Sequence, residues 1–146
     1  MGMSISRILG WIGHLATPVV LVTLTVLSLS PSTGSMILFP WIPFFDKFAH
    51  MGAYALLGCC MFWSMAAPIQ DGRFKAVCLR NRQRAVGVWM LLMFIGLAVE
   101  LVQPRFGRGA ELMDLVADGL GGFIGILFAI AALAWAIRRD NRRNSP

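Results

Sequence analysis

Four long apolar runs dominate the sequence, at residues 8–29, 48–68, 85–103 and 112–137. At about 1.5 Å per residue, a helix of such a length crosses a hydrocarbon core of roughly 30 Å. None of the runs alternates apolar and polar residues as a barrel strand does, and a helix satisfies its own backbone hydrogen bonds in lipid. The pattern therefore predicts an all-α integral membrane protein with four transmembrane helices, in a single domain of residues 1–146.

The first run could instead be a signal peptide that is removed, because Arg7 precedes it and small residues follow it. Its apolar length exceeds the roughly 7–15 residues of an ordinary signal peptide. We therefore predict that it stays as an uncleaved anchor. Cleavage would leave three spans.

The composition agrees with a membrane protein. Hydrophobic residues make up 58% of the chain, charged residues 14%, and the mean hydropathy is +0.71. These values exclude a disordered chain and are not those of a soluble domain. The net charge of +6 suggests nucleic acid, but the basic residues lie beside the apolar runs, as they do in membrane proteins. We predict no nucleic-acid partner.

The basic residues are distributed unequally between the two sides of such a bundle. Ten of the 13 Lys and Arg residues lie at the N-terminus, in the loop 69–84 and in the tail, whereas Lys47, Arg105 and Arg108 lie on the other side. Short segments rich in Lys and Arg stay in the cytoplasm. We predict that both termini are cytoplasmic and that the basic segments contact anionic membrane lipids.

Most of the remaining ionisable residues lie where the spans reach the outer face. They recur at helical spacing: Asp46, His50 and Tyr54 on the second span, Glu100 and Gln103 on the third, and Glu111, Asp114 and Asp118 on the fourth. Residues at such spacing share one face of a helix. Since a charged residue at the centre of a membrane helix costs about 2.5–3.5 kcal/mol, these faces are expected to point inward and meet. The available cationic partners are Lys47, His50, Arg105 and Arg108.

Two interpretations of these polar faces remain open. They could form a network of ion pairs and hydrogen bonds that fixes the packing of the helices. They could instead line a polar pocket that opens to the outside, since ionisable residues within a membrane often mark a functional site. The residue pattern alone does not decide between the two.

An ordered set of motifs runs through residues 46–125. It reads Asp46-Lys47-x-x-His50-x-x-x-Tyr54, then Gly96-x-x-x-Glu100-x-x-Gln103, then Arg108, Asp114 and a glycine-rich helix through Gly121 and Gly125. In this order, on separate helices, the motifs resemble the VanZ-like family of small bacterial membrane proteins. That family commonly has asparagine where this chain has Asp118. A role that needs a neutral amide at this position is therefore not carried over.

The resemblance implies a protein of the bacterial inner membrane that lowers susceptibility to the lipoglycopeptide teicoplanin. Arginine suits phosphate or carboxylate groups and an apolar bundle suits acyl chains, so we predict an outward-facing pocket for a lipid-linked envelope precursor or a lipoglycopeptide. The predicted pocket residues are Asp46, Lys47, His50, Tyr54, Glu100, Gln103, Arg108, Asp114 and Asp118. Within the pocket, His50 and Glu100 are expected to hydrogen-bond or to share a ligand.

Two other classes of function stay open. His50 beside Glu100, Asp114 and Asp118 has the residue types of a metal-dependent or acid–base enzyme, which would act on an envelope lipid. The chain has no His-Glu-x-x-His motif, however, and its other histidine, His14, lies on the first span. The third class is a structural subunit of a membrane assembly. No cofactor and no metal site are predicted, and free thiols are expected at Cys59, Cys60 and Cys78.

Overall fold

Four long helices form the computed structural model of this chain, which describes residues 4–30, 45–66, 71–107, 109 and 111–144. The helices are α1 (Ile5–Leu29), α2 (Phe45–Met65), α3 (Phe74–Val102) and α4 (Leu112–Asn144), and a short 3-10 helix, Gln103–Phe106, follows α3. All four α-helices are long and apolar enough to cross a membrane. The described residues contain no strand. The predicted all-α fold with four candidate transmembrane helices is confirmed.

Two helices extend beyond the predicted spans by seven residues or more. α3 begins at Phe74 rather than at residue 85, and α4 ends at Asn144 rather than at residue 137. The prediction of a loop over 69–84 was therefore wrong for residues 74–84. That segment is rich in Lys, Arg and Gln, which favour helix, and it contains neither Gly nor Pro. Apolarity marks only the part of a helix that lies in lipid, so it misses charged turns that continue the helix into water.

The described chain begins and ends at the same end of the bundle. The Asp140 carboxylate, near the end of α4, accepts hydrogen bonds from the backbone N–H groups of Ile5 (2.9 Å) and Ser6 (3.0 Å). An acidic group is favourable there because the first N–H groups of a helix have no partner within the helix. We call this the terminal end. The opposite end, where α2 and α4 begin, is called the polar end.

An exposed ion pair at the terminal end precedes α3. The Arg73 guanidinium lies 2.8 Å from the Asp71 carboxylate and holds the pKa of that carboxyl below its usual range. Exposed pairs of this kind contribute little to stability because water and salt screen them. Asp71 is therefore a suitable control position for substitutions of the buried acids.

Glycine residues bring α2 and α4 into direct backbone contact. The two helices run in the same direction, and their contact is the most extensive in the bundle. Gly121 lies against the backbone of Met51, and Gly125 against that of Ala55, so closely that an added Cβ would overlap the carbonyl oxygen in each case. Small residues allow such approach in membranes, where packing rather than hydrophobic burial holds helices together. This contact sets the separation of the side chains at the polar end.

α1 and α3 each pack antiparallel to one member of this pair. Gly13 of α1 lies against α2, where an added Cβ would be 2.7 Å from the carbonyl oxygen of Cys60. On the other helix, the Trp89 indole of α3 donates a hydrogen bond to the carbonyl oxygen of Gly119 at 3.0 Å. Both remaining helices thus pack against the α2–α4 pair.

Large apolar side chains cover much of the outside of the bundle. Those that are exposed include Leu15, Val19, Val22, Val26, Met90, Phe94, Leu101, Phe123 and Phe128. Such an apolar surface is unfavourable in water and suits contact with lipid chains. The four helices therefore fit a multi-pass membrane protein.

Replacing Gly125 with alanine should separate α2 from α4. The added methyl group overlaps the Ala55 carbonyl, and overpacking of this kind costs about 1–3 kcal/mol. We expect the Gly125→Ala variant to unfold at a lower temperature in detergent, as followed by circular dichroism. The matched control is Gly87→Ala on α3, where an added Cβ meets nothing within 4 Å. The control should be neutral or stabilised by up to about 1 kcal/mol. Equal melting of the two variants would contradict the close contact.

Candidate functional site

Polar side chains from α2, the end of α3 and the start of α4 meet at the polar end. We call this group the polar cluster; its members are Asp46, Lys47, His50, Tyr54, Glu100, Gln103, Glu111, Asp114 and Asp118. Its outer part is accessible, since the side chain of Glu111 is 58% exposed, whereas that of Asp114 is 3% exposed. The structure thus brings together eight of the nine predicted pocket residues. The ninth, Arg108, lies outside the described residues.

Lys47 is the centre of the outer part of the polar cluster. Its ammonium group contacts the carboxylates of Asp46 (3.3 Å), Glu111 (2.5 Å) and Asp114. Asp46 and Lys47 lie in the first turn of α2, and Asp114 lies in the first turn of α4. Ion pairs away from bulk water are stronger than exposed ones, provided that each charge has a partner. Lys47 therefore connects the beginnings of these two helices.

His50 lies one helical turn below Asp46 and is 8% exposed. Its Nδ1 atom is 2.9 Å from Oδ1 of Asp118, and its Nε2 atom is 3.7 Å from Oδ2 of Asp114. The first distance is that of a hydrogen bond, whereas the second is too long for one. Asp118 therefore fixes the orientation of the imidazole ring and leaves Nε2 next to Asp114.

Glu100 is bound to the start of α4 rather than to His50. Its Oε2 atom accepts a hydrogen bond from the backbone N–H of Glu111 at 2.8 Å. When the Gln103 amide is turned to its better orientation, its nitrogen lies 3.2 Å from both Glu100 oxygens. The expected hydrogen bond between His50 and Glu100 is not formed among the described residues, because Asp118 occupies that position beside His50.

Tyr54 forms the innermost part of the polar cluster and is 1% exposed. Its hydroxyl lies beside Gly96, where an added Cβ would be 3.4 Å from the hydroxyl oxygen and 2.8 Å from Oδ2 of Asp118. The hydroxyl forms no hydrogen bond of ordinary geometry with the described residues. Buried polar groups without a partner are uncommon. The Asp118 carboxylate, which also lies beside Gly96, is therefore the acceptor available to the Tyr54 hydroxyl among the described residues.

The polar cluster contains more acidic than basic groups. Among the described residues it holds five carboxylates and one ammonium group, and three of the carboxylates contact Lys47. With every carboxylate ionised, the formal charge of these groups is −4 with His50 neutral and −3 with His50 protonated. Arg105, one of the available cationic partners, is exposed and forms no ion pair with the described residues. Unbalanced charge is costly in apolar surroundings. This excess favours the binding of a cation or of a ligand with positively charged groups.

Two residues at this site were not among those predicted for the pocket. Glu111 contacts Lys47, and its position three residues before Asp114 was a sequence signal for the same helix face. Ser28 of α1 is buried, and its carbonyl oxygen lies beside the Gln103 amide. Nothing in the sequence pattern marked Ser28, because its place depends on how α1 packs.

Comparison with protein-family models, with curated proteins and with solved structures finds no significant match to this chain. The resemblance to the VanZ-like family therefore rests on the motifs of residues 46–125. The case for a function rests on the geometry of the polar cluster.

Substitutions of Asp118 should separate its hydrogen bond from its charge. Asp118→Asn retains an oxygen that can accept from Nδ1 of His50 and removes one negative charge, so we expect its stability to equal or exceed that of the wild type. Asp118→Ala leaves the buried imidazole without this partner, which costs about 1–3 kcal/mol. Thermal unfolding in detergent should therefore rank the asparagine variant above the alanine variant. If both melted alike, the His50–Asp118 bond would have no structural importance.

Proposed function

We propose that this protein lies in the bacterial inner membrane and has a VanZ-like function. Its polar cluster would bind the head of an envelope amphiphile, either a lipid-linked precursor or a lipoglycopeptide, and thereby lower susceptibility to teicoplanin-type antibiotics. One observation carries this proposal: buried polar residues converge at one end of a bundle whose outer surface is apolar. A ligand with both a polar head and an acyl chain matches both parts of that surface.

The distribution of basic residues supports an outward orientation of the polar cluster. The terminal end has Arg7 on α1, the basic first turns of α3 and the arginine-rich last turns of α4. Positively charged segments of this kind are retained in the cytoplasm. In this orientation both termini are cytoplasmic, and the polar end faces the side on which envelope precursors and antibiotics are present.

An apolar groove beside the polar cluster supports the choice of an acylated ligand. This groove, of about 270 Å³, lies between α3 and α4. Its lining residues include Trp89, Met93, Leu115 and Gly119. Leu115 and Gly119 flank Asp118 along α4, so a chain lying in the groove would run next to the head bound in the polar cluster. The acidic excess of the cluster favours a head that carries amino groups or hydrogen-bond donors.

The His50–Asp118 pair supports a second candidate function, acid–base catalysis on an envelope lipid. A carboxylate that orients an imidazole is a common arrangement for a general base. The 2.9 Å bond at Nδ1 and the buried hydroxyl of Tyr54 give the polar cluster suitable groups. Binding ranks first because the polar cluster lies beside an apolar groove, and the two together match both parts of an amphiphile.

Expression in a teicoplanin-susceptible host tests the proposal. The wild-type protein should raise the minimum inhibitory concentration of teicoplanin, and Asp114→Asn should return it to the level of the empty vector, because it weakens the contacts of Lys47 and His50. Asp71→Asn is the matched control, since it makes the same change in an exposed carboxylate at the terminal end. Immunoblots of membrane fractions should show equal amounts of all three proteins.

A direct binding measurement distinguishes recognition of teicoplanin from an indirect effect of the protein on growth. The protein in nanodiscs should bind teicoplanin more tightly than a matched glycopeptide that lacks the acyl chain, and Asp114→Asn should weaken the binding. Full resistance in the Asp114→Asn strain, or equal binding of the acylated and unacylated compounds, would contradict the proposed function.

The orientation can be tested with single cysteines in a cysteine-free background. Glu111→Cys places a thiol at the accessible part of the polar cluster, and Arg143→Cys places one near the end of α4. A membrane-impermeant maleimide should label the first in intact cells and the second only after the cells are permeabilised. The reverse result would place the polar cluster in the cytoplasm and exclude an extracellular ligand.

A further inference from the structure

His50 is held in a fixed orientation by its neighbours on α4. The Asp118 carboxylate holds Nδ1 at 2.9 Å, and the imidazole is more than nine-tenths buried. Its second nitrogen, Nε2, forms no hydrogen bond with the described residues and lies 3.7 Å from Oδ2 of Asp114. Histidines that bind metals almost always donate their other N–H to a carboxylate, a carbonyl or water, which fixes the ring toward the ion.

A compact set of donor atoms surrounds this position. Asp46, His50 and Asp114 each offer one ligand atom, and these atoms lie within 4.8 Å of one another. Asp46 and His50 are on adjacent turns of α2, and Asp114 comes from α4. The backbone contacts of Gly121 and Gly125 hold these two helices at a fixed separation. The donors therefore belong to rigid elements, which favours a defined coordination geometry.

The charge of the polar cluster also favours a cation at this position. Lys47 already places its ammonium group between Asp46 and Asp114, so both carboxylates lie where a positive charge is stabilised. The described members of the cluster carry a formal excess of four negative charges when all five carboxylates are ionised and His50 is neutral. A divalent ion would halve that excess while the ammonium stayed with Glu111, which is its third partner and the most exposed.

We propose that Asp46, His50 and Asp114 bind a divalent transition-metal ion, Zn²⁺ or Mn²⁺, in competition with the ammonium group of Lys47. One imidazole and two carboxylates suit both ions, whereas Mg²⁺ prefers oxygen ligands and retains its water. Asp118 is a positioning residue in this arrangement, because it acts through His50. The inference does not depend on the proposed envelope ligand, since it uses only the geometry of the donor atoms.

Metal binding can be measured on the full chain, purified in detergent and first treated with a chelator. After equilibrium dialysis against Zn²⁺ or Mn²⁺, elemental analysis should find one ion per protein. Mg²⁺ at the same concentration should not bind. His50→Ala and Asp114→Asn should each weaken binding by roughly tenfold or more, the range seen even for outer-shell partners. His14→Ala, on the exposed face of α1, and Cys78→Ser, at a half-buried thiol, are controls that should bind as the wild type does.

The Lys47→Met variant gives the decisive test, because the proposal predicts that it gains metal affinity. It keeps most of the apolar stem and removes the competing ammonium, so we expect it to bind Zn²⁺ and Mn²⁺ more tightly than the wild type. It should also show a larger rise of melting temperature on addition of metal, since a ligand that binds the folded state stabilises it. This result is informative even if His50→Ala and Asp114→Asn, which each remove a metal-binding side chain, fold poorly.

Three outcomes would overturn the inference. They are the absence of metal from both the wild type and the folded Lys47→Met variant, unchanged affinity in a folded His50→Ala variant, and a loss of affinity in Cys78→Ser as large as that in His50→Ala. None of them bears on resistance to teicoplanin. Failure of the metal site and failure of the proposed function are therefore distinguishable.

Discussion

The need to pair buried carboxylates in an apolar bundle governs the polar end of this protein. Asp114 contacts the ammonium of Lys47, Asp118 contacts His50, and Glu100 accepts from a backbone N–H at the start of α4. A carboxylate without such a partner would carry a large desolvation penalty. Each of these contacts joins two different helices. Satisfying the charges and fixing the relative positions of α2, α3 and α4 are therefore the same physical requirement.

Helical periodicity was sufficient to predict which polar residues face the same side of each helix, but not which of them pair. The sequence argument placed His50 beside Glu100, Asp114 and Asp118, and it expected His50 to hydrogen-bond with Glu100 or to share a ligand with it. The choice of Asp118 depends on the parallel contact of α2 with α4, which Gly121 and Gly125 bring to backbone distance. A sequence pattern marks these glycines as places of close approach, yet it does not say which helix approaches them.

The ends of the helices are a second feature that the sequence pattern predicted incompletely. Apolarity predicted the four spans, because lipid selects for it, but α3 and α4 continue through charged turns that only helix propensity could have revealed. The same turns carry the basic residues that we had assigned to a loop and a tail. The pattern also left open which cations pair with the acids: Arg105 lies in the 3-10 helix after α3, where it is exposed and forms no ion pair with the described residues.

Lys47 links the proposed amphiphile site to the proposed metal site. With its ammonium between Asp46 and Asp114, the polar cluster is strongly acidic and suits a head that carries positive charge. A divalent ion on those two carboxylates would reduce the acidic excess and leave the ammonium near exposed Glu111, where a phosphate could reach it. The charge of the preferred ligand head would then depend on whether metal is bound, because the same carboxylates cannot serve the lysine and the ion fully at once.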